Sequence, residues 1–245
     1  MARQDATGRT TATGRTTVTN RRTVVDFPNS LNFVLASNQY GAVVAPSGIQ
    51  STSRTFEWWT FFNKVPTSTA PVFSLASANY YIGFSTNVLF SSYADSGAVQ
   101  RTSQSSGLGL RIGKWDHYAY TVSTSGSNVT ISYYMNGVLI SSQTPTTGHS
   151  TSYGGILYMG QFSPASGLGI NGRMARASCY SRALTAAEIL DRYSNREVSS
   201  GLVERWNFSE GSGGTVAGQN GNNFALVNTP TWSSTNVPMK VRATA

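Results

Sequence analysis

Apolar residues recur at every second position in short runs from residue 23 to residue 232, and this alternation predicts strands almost throughout. Runs at 23–27, 31–36 and 40–44 come first, separated by Pro28-Asn29-Ser30 and by Asn38-Gln39. Across 54–64, Phe56, Trp58, Thr60 and Phe62 fall on one face, with Glu57, Trp59, Phe61 and Asn63 on the other. That is the pattern of a long central strand with aromatic rings on both sides. Runs at 72–75, 80–85 and 88–91 follow, and a polar stretch at 94–107 reads as a loop. Further runs at 108–113 and 117–123 lead to 128–135 and 138–143, which flank Asn136-Gly137. Asn-Gly between two alternating runs predicts a hairpin, because a type I′ turn needs positive φ at both central residues. After a loop at 144–154, runs at 156–161 and 170–180 complete the body. Closing strands at 202–208, 224–227 and around Trp232 surround a Gly/Ser/Asn-rich loop at 209–223.

One stretch departs from the period of two. Thr185-Ala186-Ala187-Glu188 is a capping box, and Leu184 and Ile189 are spaced as a hydrophobic staple. Ile189, Leu190 and Tyr193 then supply an apolar stripe, so one helix is predicted over 186–194. The fold class is therefore all-β, a two-sheet antiparallel sandwich with one short helix on its rim.

The first residues follow a different rule. Ala-Thr-Gly-Arg-Thr-Thr at 6–11 repeats at 12–17 and decays to Val-Thr-Asn-Arg-Arg-Thr at 18–23. Such a segment holds too little apolar surface to fold alone, and no apolar run follows its arginines as a secretory signal would require. Arg9, Arg15 and Arg21 lie six apart, so an extended chain projects all three from one side. The chain divides into an extended arm at 1–24, a domain at 25–235 and a tail at 236–245. The arm is expected to anchor on a partner through Arg3, Arg9, Arg15, Arg21 and Arg22.

Charge changes the picture little. The net charge is +8, but five Arg against Asp5 give residues 1–24 half of it. The later basic residues are scattered, so nucleic acid is not an expected partner. No apolar stretch nears the roughly 20 residues that span a bilayer, so no membrane partner is expected. Cys179, the one cysteine, forms no internal disulfide and reads as a small core residue. His117 and His149 show no zinc spacing, and Gly211-Ser212-Gly213-Gly214-Thr215 lacks the Lys of a phosphate loop. Glu188 and Asp191 belong to the helix, and Glu57 beside Trp59 stands alone. One carboxylate is not the pair that glycoside hydrolysis needs. No catalytic residue, cofactor or metal is expected, and the scattered acidic residues weigh against a calcium site.

Four motifs in order resemble the laminin-G-like, concanavalin A-like jelly-roll domains. They are 113–120 with Trp115 and His117, the hairpin 129–137, the strand 155–160 and the segment Tyr180-Ser181-Arg182-Ala183-Leu184 through Ile189, preceded by Gly172. The resemblance implies a jelly-roll sandwich over 25–235. In such sandwiches sugars meet aromatic faces and rim amides, which makes Tyr93, His149, Tyr153, Asn220 and Asn222 the candidate glycan ligands. The expected function is a non-catalytic adhesion or structural protein of a virion, such as a phage capsid decoration, head-fibre or tail-associated protein. It would join other assembly subunits, as a homo-oligomer or part of a larger particle, through residues 1–24. The alternative is a carbohydrate-binding module at a cell surface or outside the cell, with surface glycans as partners. A glycoside hydrolase is the third reading.

Overall fold

The computed structural model describes residues 29–75, 80–94, 100–126, 128–145, 155–164 and 166–234. The strand expected at 23–27, the arm and the tail at 236–245 lie outside this set. β1 (Ser30–Phe33), β2 (Tyr40–Val44) and β3 (Arg54–Phe62) lead the described chain. β4 (Thr69–Leu75), β5 (Tyr80–Ser85), β6 (Val88–Ala94) and β7 (Gln100–Gln104) form one meander. β8 (Trp115–Ser125), β9 (Asn128–Met135) and β10 (Val138–Gln143) form another. β11 (Ile156–Met159) and β12 (Gly172–Tyr180) precede the helix α1 (Ala186–Tyr193). β13 (Leu202–Trp206), β14 (Thr215–Val216), β15 (Phe224–Val227) and β16 (Thr231–Ser233) follow.

These strands pair into two antiparallel sheets, the jelly-roll sandwich that alternation predicts. The first sheet runs β10-β9-β8-β3-β12-β1-β16, with β13 also on β12; the second runs β14-β15-β2-β11-β4-β5-β6-β7. Between them lies one apolar core, because inward residues of both sheets interdigitate. Trp58 on β3 meets Phe73 and Phe84 of the opposite sheet edge-on, at ring separations of 5.7 and 6.3 Å, and stacks beside Tyr118 of β8 at 6.2 Å. Cys179 is buried in this core, and burial pushes its thiol pKa up, which leaves it inert.

The structure corrects four of the expected elements, the first being the loop at 209–223, which contains β14 paired with β15. The run at 31–36 is not one strand: β1 stops at Phe33, and Leu35–Ser37 form a 3-10 turn closed by Asn38 at φ 47°. The run at 108–113 makes only a parallel bridge between Ile112 and Phe62, because Gly109 and Gly113 take positive φ. The expected loop at 94–107 contains β7. Its sequence, Gln-Arg-Thr-Ser-Gln, has no apolar residue to alternate, and among the described residues it is an edge strand paired with β6.

The Asn-Gly hairpin forms as expected, with φ of 54° at Asn136 and 80° at Gly137. Its tip also has a tertiary role. Asn136 Oδ1 accepts the His117 backbone N–H at 3.0 Å, and its Nδ2 donates to Asp116 at 2.8 Å. A Cβ on Gly137 would sit 2.9 Å from Leu190 Cδ1 and 3.1 Å from Tyr193 Cδ1 of α1. Gly137→Ala therefore meets both a left-handed backbone and a clash, and should cost about 1–3 kcal/mol, read from the denaturant midpoint. A loss under a few tenths of a kcal/mol would show that the turn does not fix the helix.

Candidate functional site

Strand pairing gathers aromatic and hydroxyl side chains on the outer face of the second sheet. Register places Ala225, Ala42, Tyr158, Ser74, Tyr81, Ser92 and Thr102 side by side, one from each strand from β15 to β7. They share the outer face because their neighbours in sequence, among them Leu157, Met159, Phe73, Leu75, Tyr80 and Ile82, are core residues. Tyr158 and Tyr81 are half-buried and flank the small Ser74. At the usual strand spacing their backbones lie about 10 Å apart, and Ser74 between them is fully buried.

Neighbouring rings steady this row. Tyr40 meets Tyr158 edge-on at 5.6 Å, and Tyr81 meets Phe90 and Phe162 edge-on at 5.3 and 5.1 Å. Phe162 is carried by the rim loop between β11 and β12. Gln161 bridges to Gly169 there, and Phe162 N–H donates to Leu168 O at 2.9 Å. The buried Gln161 amide donates to Ser163 O at 2.7 Å, while Ser74 Oγ lies against the Gln161 carbonyl at 3.0 Å and the Phe162 carbonyl. The hydroxyl in the centre of the row thus holds the loop. The tyrosines are the partly exposed aromatic groups of the row.

The other sheet carries charge, but under cover. α1 lies over its outer face, where Trp59 stacks on Tyr193 at 5.7 Å. Beneath the helix, Glu57 Oε2 bonds His117 Nε2 at 2.7 Å and Glu57 Oε1 accepts from Arg192 Nε at 2.9 Å. All three side chains are fully buried. Although burial pushes the Glu57 pKa up, Arg192, His117 and Arg176 outweigh it and hold the group well below the usual carboxylate range. A β-bulge brings Arg176 to this side. β12 spends Arg176 and Ala177 opposite Trp58 alone, and Arg176 takes φ 39°. Arg176, Arg192 and Arg205 then converge on Glu197. With both oxygens engaged and no exposure, Glu57 has no access to a substrate. The network secures the helix to the sheet.

The candidates from sequence scatter. Tyr93 points inward on β6 and is 1% exposed, so its ring is a core ring rather than a sugar platform. Asn220 and Asn222 do lie together, but they wrap a buried carboxylate. Glu204 accepts the backbone N–H groups of Asn220 and Asn222 at 2.8 and 3.0 Å and the Asn222 amide at 2.8 Å. The Asn220 amide donates to Val203 O at 2.8 Å. Both side chains build the 218–222 turn. His149, Tyr153 and Arg3, Arg9, Arg15, Arg21 and Arg22 lie outside the described residues. His117 is fully buried and packs on Trp59 and Tyr193, a structural position. Tyr158 and Tyr81 are not among those candidates. Among the described residues no three His, Cys, Asp or Glu side chains gather as metal ligands, and no helix is long and apolar enough to cross a membrane.

The sequence profile of the concanavalin A-like lectin/glucanases superfamily matches residues 35–190. No curated protein sequence matches the chain. Among solved structures, a candidate carbohydrate-binding protein from Bacteroides ovatus superposes with a TM-score of 0.71 at 16% identity. That alignment covers 89% of this chain and 63% of the other, so this chain spans under two thirds of its relative. A heptameric SAP-like pentraxin from Limulus polyphemus gives 0.53 at 16% identity, over 85% of this chain and 89% of that one. The CBM40 of a Ruminococcus gnavus IT-sialidase, bound to α2,3-sialyllactose, gives 0.52 at 9% identity, over 68% and 98%.

Proposed function

This chain belongs to the concanavalin A-like lectin/glucanases superfamily, and from that premise we propose that it is a non-catalytic carbohydrate-binding domain. Its ligand lies across the outer face of the second sheet, on Tyr158 and Tyr81. The observation that carries this reading is the register that sets two half-buried tyrosines on either side of Ser74 in one row. Tyrosine faces pack against the C–H faces of sugars while the phenol hydroxyl stays wet. Phe162 and Tyr40 fix the ring orientations, so little side-chain freedom is lost on binding. The carbohydrate binding named for the Bacteroides ovatus and Ruminococcus gnavus proteins supports the ligand class. Against catalysis stands the state of Glu57, buried and ion-paired on the opposite sheet.

Glycan-array screening of the full chain tests the proposal. Binding of at least one neutral oligosaccharide, with no hydrolysis of it, is expected. A uniformly empty array, or released product, would overturn it. The extracellular or cell-surface setting follows from the ligand class. The finer assignment to a virion rests on the hexad repeat alone, with residues 1–24 added to a partner's sheet edge. Deleting residues 1–24 should abolish assembly while leaving glycan binding unchanged; normal incorporation of the truncated chain would end that assignment.

A further inference from the structure

α1 covers only part of the outer face of the first sheet. Two residues along the strands from Trp59, another row stands uncovered by it: Thr231, Asn32, Arg173, Phe61 and Trp115, in register across β16, β1, β12, β3 and β8. The Phe61 and Trp115 rings are 5.6 Å apart, and the Arg173 guanidinium sits over Phe61 at 3.8 Å and 5.8 Å from Trp115. Arg173 also donates to Ser233 Oγ at 3.3 Å, so its position is fixed. Beside it Asn63 donates to Asn32 in an exposed amide pair at 3.0 Å.

Charge collects at the same end. The segments 31–33, 61–64, 111–116, 171–174 and 231–233 carry Lys64, Arg111, Lys114 and Arg173 against Asp116, four basic groups to one acidic. Arg111 answers Asp116. Lys64 and Lys114 are exposed and have no acidic partner among the described residues. Lys64 also lines a cleft of about 260 Å³ with Leu35, Pro66, Thr67 and Asn171. An aromatic pair, an amide pair and two lysines without an acidic partner among the described residues, gathered at one end of the sheet, suit a sugar chain that carries negative charge. Trp115 and the edge of Phe61 would take its C–H groups, the amides its hydroxyls and the lysines its anionic groups.

We propose that this face is a second carbohydrate site, distinct from the tyrosine row, that takes a polysaccharide bearing sulfate or carboxylate groups. The test titrates the full chain with a heparin-derived octasaccharide and with an oligogalacturonate, at low and high salt. At least one should bind at low salt, and the response to each tells sulfate from carboxylate. Affinity should fall several-fold as salt rises, because the lysines are exposed to screening. Lys64→Ala/Lys114→Ala should weaken it about tenfold, as expected for two exposed ion pairs. Those substitutions touch no core residue, so a loss of binding is not a loss of fold. Tyr81→Ala should leave this binding intact, while the neutral array ligand should show the reverse pattern. Absence of binding at low salt, indifference to the lysine substitutions, or loss through Tyr81→Ala would each overturn the proposal. So would equal affinity for a single-stranded DNA of the same charge, which would reduce the site to charge alone.

Discussion

Glu57→Ala should cost about 3–5 kcal/mol of folding stability, a large fraction of what holds a typical domain together. The carboxylate is the shared partner of two buried groups, His117 at 2.7 Å and Arg192 at 2.9 Å. Its removal leaves the imidazole Nε2 without its acceptor. Arg192 keeps Glu197, at 3.4 Å, and the Arg196 carbonyl at 3.1 Å. Glu197 is 62% exposed and shared by three arginines, so it compensates poorly. Replacing the pair together, Glu57→Leu with Arg192→Met, should cost less than either single change, because no buried charge is then stranded. Denaturant unfolding of the set measures both statements. A Glu57→Ala loss below 1 kcal/mol would mean the network adds nothing to the fold.

The same group gives an acid signature. The folded pKa of Glu57 is depressed from a usual value of 4.5, so its contribution is full above that pH and declines as pH falls. Glu188, held at about 2 by Arg182 and its capping bonds, acts in the same sense. For one proton the slope approaches 1.4 kcal/mol per pH unit. Glu57→Gln should flatten the acid limb by that amount and leave the neutral limb parallel to the parent.

Tyr81→Ala combined with Tyr158→Ala should reduce affinity for the array ligand by about thirtyfold or more. Each ring presents an aromatic face worth about 1–2 kcal/mol when covered by a sugar, and the two act on one ligand. Neither belongs to the main core, so the melting temperature should change far less than the affinity. Affinity unchanged by the pair would remove the row from the account.

Where the residues speak locally, the sequence is legible. Phe56, Trp58 and Phe62 alternate along β3, Asn136-Gly137 turns the hairpin, and Thr185 caps α1 with Glu188 as its spacing requires. The tyrosine row was not legible, because alternation assigns a face while long-range pairing sets the register. Tyr158 and Tyr81 meet through Ser74, from strands 77 residues apart in sequence. Tyr93 misled for a related reason. On β6 the inward set is Leu89, Ser91 and Tyr93 and the outward set includes Phe90 and Ser92, so each face mixes an apolar residue with serine. Ser91 faces inward to hydrogen-bond Tyr133 at 2.9 Å, a partner that local pattern cannot reveal. Asn220 and Asn222 look like open rim amides until Glu204, 16 and 18 residues earlier, is brought beside them.

A crystal structure of the full chain with its neutral array ligand bound tests the central claim most directly. The account predicts sugar rings packed on Tyr81 and Tyr158, beside Phe162, on the sheet opposite α1. A ligand seated instead over α1, or in the 209–223 loop around Asn220 and Asn222, with the tyrosine row bare, would contradict it.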